Sequence, residues 1–186
     1  MSVRVLALVG SLRAGSHNRQ LAEAAAKHAP EGVEVELFEG LADVPFYNED
    51  IDVEGSLPEA AARLREAAGA ADALLFFTPE YNGTMPAVLK NAIDWLSRPF
   101  GAGVLSGRPA AVIGTAYGQY GGVWAQDEAR KALGIAGAAV VEEPKLAIAG
   151  SVVRFAELHP ADDTEAVAGL TEVLAQVAER TRAAAA

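Results

Sequence analysis

The residues best suited to chemistry in this chain crowd into one stretch, Gly10-Ser11-Leu12-Arg13-Ala14-Gly15-Ser16-His17-Asn18. Ser11, Ser16 and Asn18 offer short polar donors, and Arg13 offers a planar cation matched to phosphate oxygens. The run before the stretch, Val3 to Val9, is apolar and β-branched and reads as a buried strand. Beyond it, Gln20 to Lys27 is Ala-rich and reads as a helix. A strand that feeds a helix through such a loop makes an anion pocket. Backbone N–H groups point into the loop, and the helix N-terminus adds partial positive charge. The expected chemistry is therefore phosphate binding. An ordinary turn with an N-cap Ser or Asn would use the same residues without a ligand. Two common nucleotide loops are excluded. There is no Gly-x-Gly-x-x-Gly, and Ser16 stands where a Walker loop needs Lys. A monophosphate is a simpler ligand than a nucleoside triphosphate with magnesium.

Two further stretches carry polar and aromatic groups. In Pro79-Glu80-Tyr81-Asn82-Gly83-Thr84-Met85-Pro86, Tyr81 is a flat amphipathic surface. Asn82 and the backbone at Gly83 supply donors and acceptors. Such a loop suits a polar, planar heterocycle, and nearby donors favour negative charge that develops on it. Glu80 is either an acid or base for chemistry or a helix cap or ion-pair partner. In Thr115-Ala116-Tyr117-Gly118-Gln119-Tyr120-Gly121-Gly122 the glycines permit close backbone approach to a ring. Its aromatics can cover the ring or meet another subunit, and Trp124 follows them. His28 and His159 are scattered, and Ser11 and Ser16 lack the His–Asp company of a nucleophile. His17 sits within the phosphate loop. No metal site and no catalytic side chain is expected.

Composition narrows the class. With 186 residues, about half of them apolar, the chain suits one α/β domain spanning 1–186. A formal net charge of −10 argues against nucleic acid and against anionic membranes. It also makes Arg13 a local exception. The absence of cysteine excludes disulfides, thiolate metal sites and thiol catalysis. No segment is long and apolar enough to span a bilayer, and a cytoplasmic location is expected.

The elements that must position these loops alternate. Strands are expected at Val3–Val9, Val33–Phe38, Asp72–Phe77 and Pro109–Gly114. A last strand at Val140-Val141 has an extension at Lys145–Ile148. Helices follow at Gln20–Lys27, from a Ser56 cap to Ala70, from Pro86 to the Arg98-Pro99 stop, at Val123–Leu133, and from Asp162-Asp163 onward. The stretch Gly40–Gly55 lacks a period and is long for a βα connection. Alternation of this kind implies a parallel sheet with helices on both faces, in strand order 2-1-3-4-5. In that order the three polar loops follow strands one, three and four and meet at the strands' carboxyl ends, where flavodoxin-like folds bind FMN.

The two motifs, with the Pro-Phe-Tyr-Asn-Glu-Asp core of Leu41 to Asp52 and Gly118 with Gly121-Gly122, resemble the NADPH-dependent FMN reductases. That family includes chromate and quinone reductases and some azoreductases. The second motif is long, running on through Ala87-Val88-Leu89-Lys90-Asn91-Ala92-Ile93-Asp94-Trp95, and the resemblance extends to about residue 160. It implies a flavodoxin-like fold, bound FMN, and NADPH or NADH as donor. It implies that Ser11, Arg13, Ser16, His17 and Asn18 hold the FMN phosphate. Pro79, Glu80, Tyr81, Asn82 and Gly83 would line the ring and ribityl chain, with Ala116, Tyr117 and Gly118 beside them. It further implies a homodimer or homotetramer that reduces a small acceptor in a ping-pong cycle. Quinones, azo compounds, metal oxyanions and flavins are the acceptors implied. The chain departs from the family pattern at Ala116, where many members carry Ser, and at Trp124, where many carry Arg. A flavodoxin-type electron carrier and a non-redox phosphate-binding module are the competing readings.

Overall fold

The computed structural model describes residues 2–185. Val3–Val9 (β1), Val33–Leu37 (β2), Ala73–Thr78 (β3) and Pro109–Thr115 (β4) form a parallel sheet in the order β2-β1-β3-β4. Ala139–Val140 (β5) and Leu146–Ile148 (β6) both pair with the outer edge of β4. The expected flavodoxin-like order is present, with the fifth position shared by two short strands. Side chains alternate between the faces, as a strand period of two requires. Val5, Ala7 and Val9 of β1 enter one core with His17–Lys27 (α1) and Thr164–Ala184 (α6). Leu6 and Leu8 enter the other with Glu59–Ala70 (α2), Ala87–Leu96 (α3) and Val123–Ile135 (α4). The result is a three-layer α/β/α sandwich.

The break in the fifth strand has a physical consequence. β5 pairs with Pro109-Ala110 and β6 with Ile113–Thr115, so the middle of β4 lacks a strand partner there. A buried side chain fills the gap. Arg130 of α4 donates Nη2 to the Val112 carbonyl at 2.8 Å and to Gln126 Oε1 at 3.1 Å. Burial pulls this guanidinium below its usual range, and Asp127 at 3.3 Å acts in the opposite sense. Gln126 in turn donates Nε2 to the Gly121 carbonyl at 3.3 Å. One polar chain thus runs from mid-sheet to the loop after β4.

Several boundaries differ from expectation by a residue or more, and the differences at helix starts have capping reasons. α1 begins at His17 rather than Gln20, because the Ser16 hydroxyl caps it by accepting from Arg19 N at 3.2 Å. Ser56 does not cap α2, which starts at Glu59 after Pro58 with no side-chain cap. The segment between β6 and α6 holds a short helix, Ser151–Arg154 (α5), and a 3₁₀ turn at Pro160–Asp162. Asp163 alone opens α6, accepting from Glu165 N and Ala166 N. Among the described residues no helix is long and apolar enough to cross a membrane.

The long connection after β2 is pinned. Asn91 of α3 accepts from Tyr47 N at 2.8 Å and donates to the Pro45 carbonyl at 3.0 Å. Trp95 donates Nε1 to the same carbonyl at 2.7 Å. A bidentate Arg65–Asp52 pair at 2.7 and 2.8 Å closes the far end, with Arg65 over the Trp95 ring. Two residues of the second motif therefore hold this loop in place.

Candidate functional site

The loop after β1 leaves the sheet at Gly10. A Cβ there would lie 3.2 Å from Leu89 and 3.3 Å from the Phe77 carbonyl, closer than ordinary packing. Glycine lets β1 end against α3 without displacing Leu89. The chain then turns, with Ser16 N donating to the Arg13 carbonyl at 3.1 Å. The backbone N–H groups of His17 and Asn18 begin α1 and find no protein acceptor among the described residues. Such free donors at a helix start attract an anion. Ser11 and Arg13 border a cleft of 420 Å³ between this loop and Glu39–Ala42. Arg19 shares the cleft but is taken up by Glu39 and Glu23. Arg13 is exposed and makes no salt bridge or side-chain hydrogen bond among the described residues. His17 stands edge-on to Phe155 at 5.6 Å. Burial first, and the Arg13 charge second, hold its imidazole below the usual histidine range.

The side chain of Asn18 is engaged within the protein. It is buried, its Nδ2 donates to the Thr115 carbonyl at 3.0 Å, and its Oδ1 accepts from Thr115 N at 3.1 Å. Both ends of the amide bind the last residue of β4, so Asn18 ties the first loop to the third.

The second loop is a tight two-residue turn. Tyr81 and Thr84 exchange backbone hydrogen bonds at 3.0 and 3.2 Å, with Asn82 at φ 55° and Gly83 at φ 79°. Asn-Gly is the pair that tolerates two positive φ angles in succession. The turn projects Tyr81, Asn82 and Gly83 outward, while Pro79 is buried behind them. Glu80 is engaged within the protein as well. Its Oε2 accepts from Trp124 N at 3.1 Å and Ala125 N at 3.2 Å. Gly122 at the start of α4 has no side chain to cap the helix, and Glu80 does so from the neighbouring loop. Glu80 thus caps α4 rather than the helix that follows it.

The third loop is held from below. Ala116 N donates to the Ile148 carbonyl at 3.3 Å, and the Ala116 carbonyl accepts from Ser151 N at 3.0 Å. The Gly118 carbonyl accepts from Gly150 N at 3.3 Å. Tyr117 and Gly118 remain exposed. At Gly121 (φ 63°) a Cβ would fall 2.6 Å from the Ala147 backbone. Thr115, Gln126, Ile148 and Phe155 are the supports that residue-type reasoning overlooked. They signal only as apolar or neutral residues, and their importance comes from contacts distant in sequence.

The three loops form one braced edge, with Asn18 and Glu80 as its cross-ties. Its first part offers unengaged N–H groups, hydroxyls and one free guanidinium. The other parts present neutral polar and aromatic surface. This donor set fits a flavin mononucleotide, whose phosphate needs the former and whose planar ring needs the latter. Among the described residues no cluster of His, Cys, Asp or Glu gathers to hold a metal ion.

Residues 3–152 match the family described as NADPH-dependent FMN reductase. The chain belongs to that family. It is 40% identical over 148 residues to a 2-hydroxy-1,4-benzoquinone reductase of Burkholderia sp., covering 80% of this chain and 79% of the relative. It is 42% identical over 153 residues to an NAD(P)H-dependent FMN reductase of Pseudomonas aeruginosa, covering 82% and 81%. Among solved structures, FerB, a flavoenzyme NAD(P)H:(acceptor) oxidoreductase from Paracoccus denitrificans, superposes with a TM-score of 0.85 at 32% identity. That superposition covers 97% of this chain and 98% of FerB. As a family member the chain is an oxidoreductase with FMN as cofactor and NAD(P)H as donor. Membership answers the electron-carrier and non-redox readings in favour of a reductase.

Proposed function

We propose that the braced edge is the FMN site and that this reductase delivers the electrons of NAD(P)H to quinones. The observation that carries the reading is the convergence of three loops, one donor-rich and two aromatic, at the carboxyl end of a 2-1-3-4-5 sheet, where Asn18 ties the first to the third and Glu80 the second to the third. The names of the relatives support quinones as the acceptor class.

Arg13, Ser11 and the N–H groups of His17 and Asn18 would bind the phosphate. The Ser16 hydroxyl accepts from Arg19 N and keeps its own proton free to donate. His17 would add a hydrogen bond. The Tyr81-Asn82-Gly83 turn and the Ala116-Tyr117-Gly118 backbone would orient the ring and leave one face open. Asn18 and Glu80 would set the spacing of the loops without touching reacting atoms. FMN, when bound, supplies the two-electron chemistry between donor and acceptor. Overall, NAD(P)H, one solvent proton and a quinone give NAD(P)⁺ and the hydroquinone. No side chain of the site is needed as a general acid or base.

The same reading makes the chain a single domain that works in the cytoplasm, where NAD(P)H is available, as a homodimer or homotetramer. The support for self-association is an apolar cleft of 440 Å³ between α3 and α4, flanked by exposed Phe100 and Ile135. Sedimentation of the parent and of Phe100→Asp tests it.

The test of function is the anaerobic absorbance of FMN-reconstituted protein after NADPH is added. Bleaching faster than that of free FMN supports the reading. A stable yellow complex indicates an electron carrier, and failure to bind flavin refutes the site.

A further inference from the structure

The segment that follows β6 is fastened along α1 from one end to the other. At the α1 N-terminus the Phe155 ring meets His17 edge-on at 5.6 Å. At its C-terminus the Ala161 carbonyl lies 2.9 Å from His28 Nε2, and Asp162 pairs with Lys27 at 3.7 Å. Between these points Arg154 locks the segment to α6, donating to Asp163 at 2.6 and 2.8 Å and to Glu165 at 2.9 Å. The start of the segment is also tied to the third loop. Gly150 N donates to the Gly118 carbonyl at 3.3 Å, and Ser151 N donates to the Ala116 carbonyl at 3.0 Å. Residues 150–155 are thereby fixed beside the first loop and the third at once.

Ser151 is the polar residue this arrangement leaves unused. It is only 5% exposed, yet its hydroxyl makes no hydrogen bond among the described residues and keeps a narrow opening to solvent. Phe155 N donates to the Ser151 carbonyl at 3.0 Å, so the two residues stand one helical turn apart and share a face of α5. That face is the one turned to His17, while Val153, 80% exposed, takes the opposite side. Both backbone groups of Ser151 are spent, and only the hydroxyl is free. Its neighbours do not offer the same group. Thr115 spends its hydroxyl on the Ile148 carbonyl at 2.7 Å, and Ala116 has none. A buried hydroxyl without a partner forfeits the hydrogen bonds that water gave it. The N–H groups of His17 and Asn18, on the same side, also lack acceptors among the described residues. One acceptor with several oxygens satisfies all three donors, and a phosphate monoester is such an acceptor.

We propose that Ser151 donates its hydroxyl to the FMN phosphate, which makes residues 150–155 a fourth wall of the cofactor site. The inference rests on the reading of the first loop as the phosphate site. Arg154 is turned to Asp163 and Glu165, so this wall contributes a hydrogen bond and no charge. Its rigidity comes from the fastening to α1 and α6, and the hydroxyl is in place before the cofactor arrives.

The experiment titrates the full-length, flavin-free chain with FMN by fluorescence, for the parent, Ser151→Ala and Arg13→Ala. Ser151→Ala keeps the backbone bond to Ala116 and removes only the hydroxyl. Its FMN affinity should fall about tenfold, as for loss of one hydrogen bond to a charged acceptor. The Tm of the flavin-free protein and the visible absorbance bands of the bound flavin at saturation should stay at parental values, because the ring is not touched. Riboflavin, which lacks the phosphate, should bind parent and variant alike. The proposal is overturned if Ser151→Ala binds FMN as tightly as the parent. It is overturned equally if the loss comes with shifted flavin bands or with the same loss for riboflavin, since Ser151 would then shape the third loop instead of binding phosphate. A parent that binds no FMN, or an Arg13→Ala protein with parental affinity, brings down the phosphate-site reading itself. Weakened binding in Arg13→Ala with none in Ser151→Ala brings down this inference alone.

Discussion

Replacing Glu80 separates a structural from a chemical role. Its carboxylate accepts two backbone N–H groups at the start of α4, and Gly122 offers no cap of its own. Loss of an N-cap costs about 0.5–2 kcal/mol. Loss of a negative charge from a helix N-terminus costs about 0.3–1 kcal/mol more. In this half-buried setting Glu80→Ala should cost about 2 kcal/mol, which lowers Tm by roughly 4–8 °C in a chain of this length. Glu80→Gln keeps an acceptor oxygen but not the charge, and should cost about half as much. Thermal melts of both variants, FMN titration by fluorescence and steady-state turnover with NADPH and a quinone are the measurements. If Glu80 is a brace, loss of FMN affinity should follow loss of stability, and Glu80→Gln should retain kcat within about threefold. A general acid or base would behave in the opposite way, with turnover in Glu80→Gln down by roughly 10²–10⁴ and stability unchanged. That second pattern would refute the cap assignment.

Other perturbations act on separate parts of the edge. Arg13→Ala removes an exposed cation that has no ion-pair partner among the described residues. FMN affinity should fall by roughly 10- to 100-fold, as for loss of a charge-assisted hydrogen bond, while Tm stays unchanged; equal affinity would remove Arg13 from the site. Asn18→Ala strands the buried N–H and C=O of Thr115 and should cost about 2–4 kcal/mol by chemical denaturation. An Asn18→Ala protein with parental stability but weak FMN binding would return Asn18 to the phosphate. The Asp163 carboxyl is held down to about 2, chiefly by its hydrogen bonds to Arg154 and also by the α6 N–H groups. Its folded value is depressed, so its contribution of about 2 kcal/mol is fully present above the unfolded value near pH 4 and is lost as pH falls toward 2. Asp163→Asn should lower Tm at neutral pH, and circular-dichroism melts should show the gap to the parent closing only below about pH 4.

Much of this protein was legible in sequence because it depends on neighbours in the chain. The apolar run of β1, the Ala-rich α1, Pro86 before α3 and the Asn-Gly turn are local matters of hydrophobic period, propensity and allowed dihedrals. Strand order followed from alternation, and strand order brought three polar loops to one edge. What each residue does at that edge was decided elsewhere. The Asn18 amide looks unengaged until β4, 97 residues away, takes both ends of it. Glu80 stays divided between acid or base and cap or ion-pair partner until a helix 44 residues later presents two uncapped N–H groups. The split of the fifth strand and its repair by Arg130 were equally invisible, since a buried guanidinium reads in sequence as a surface charge. A short polar side chain has hydrogen-bonding capacity wherever it stands. Whether that capacity is free for a ligand depends on which backbone groups the fold leaves unsatisfied beside it, and only tertiary packing decides that.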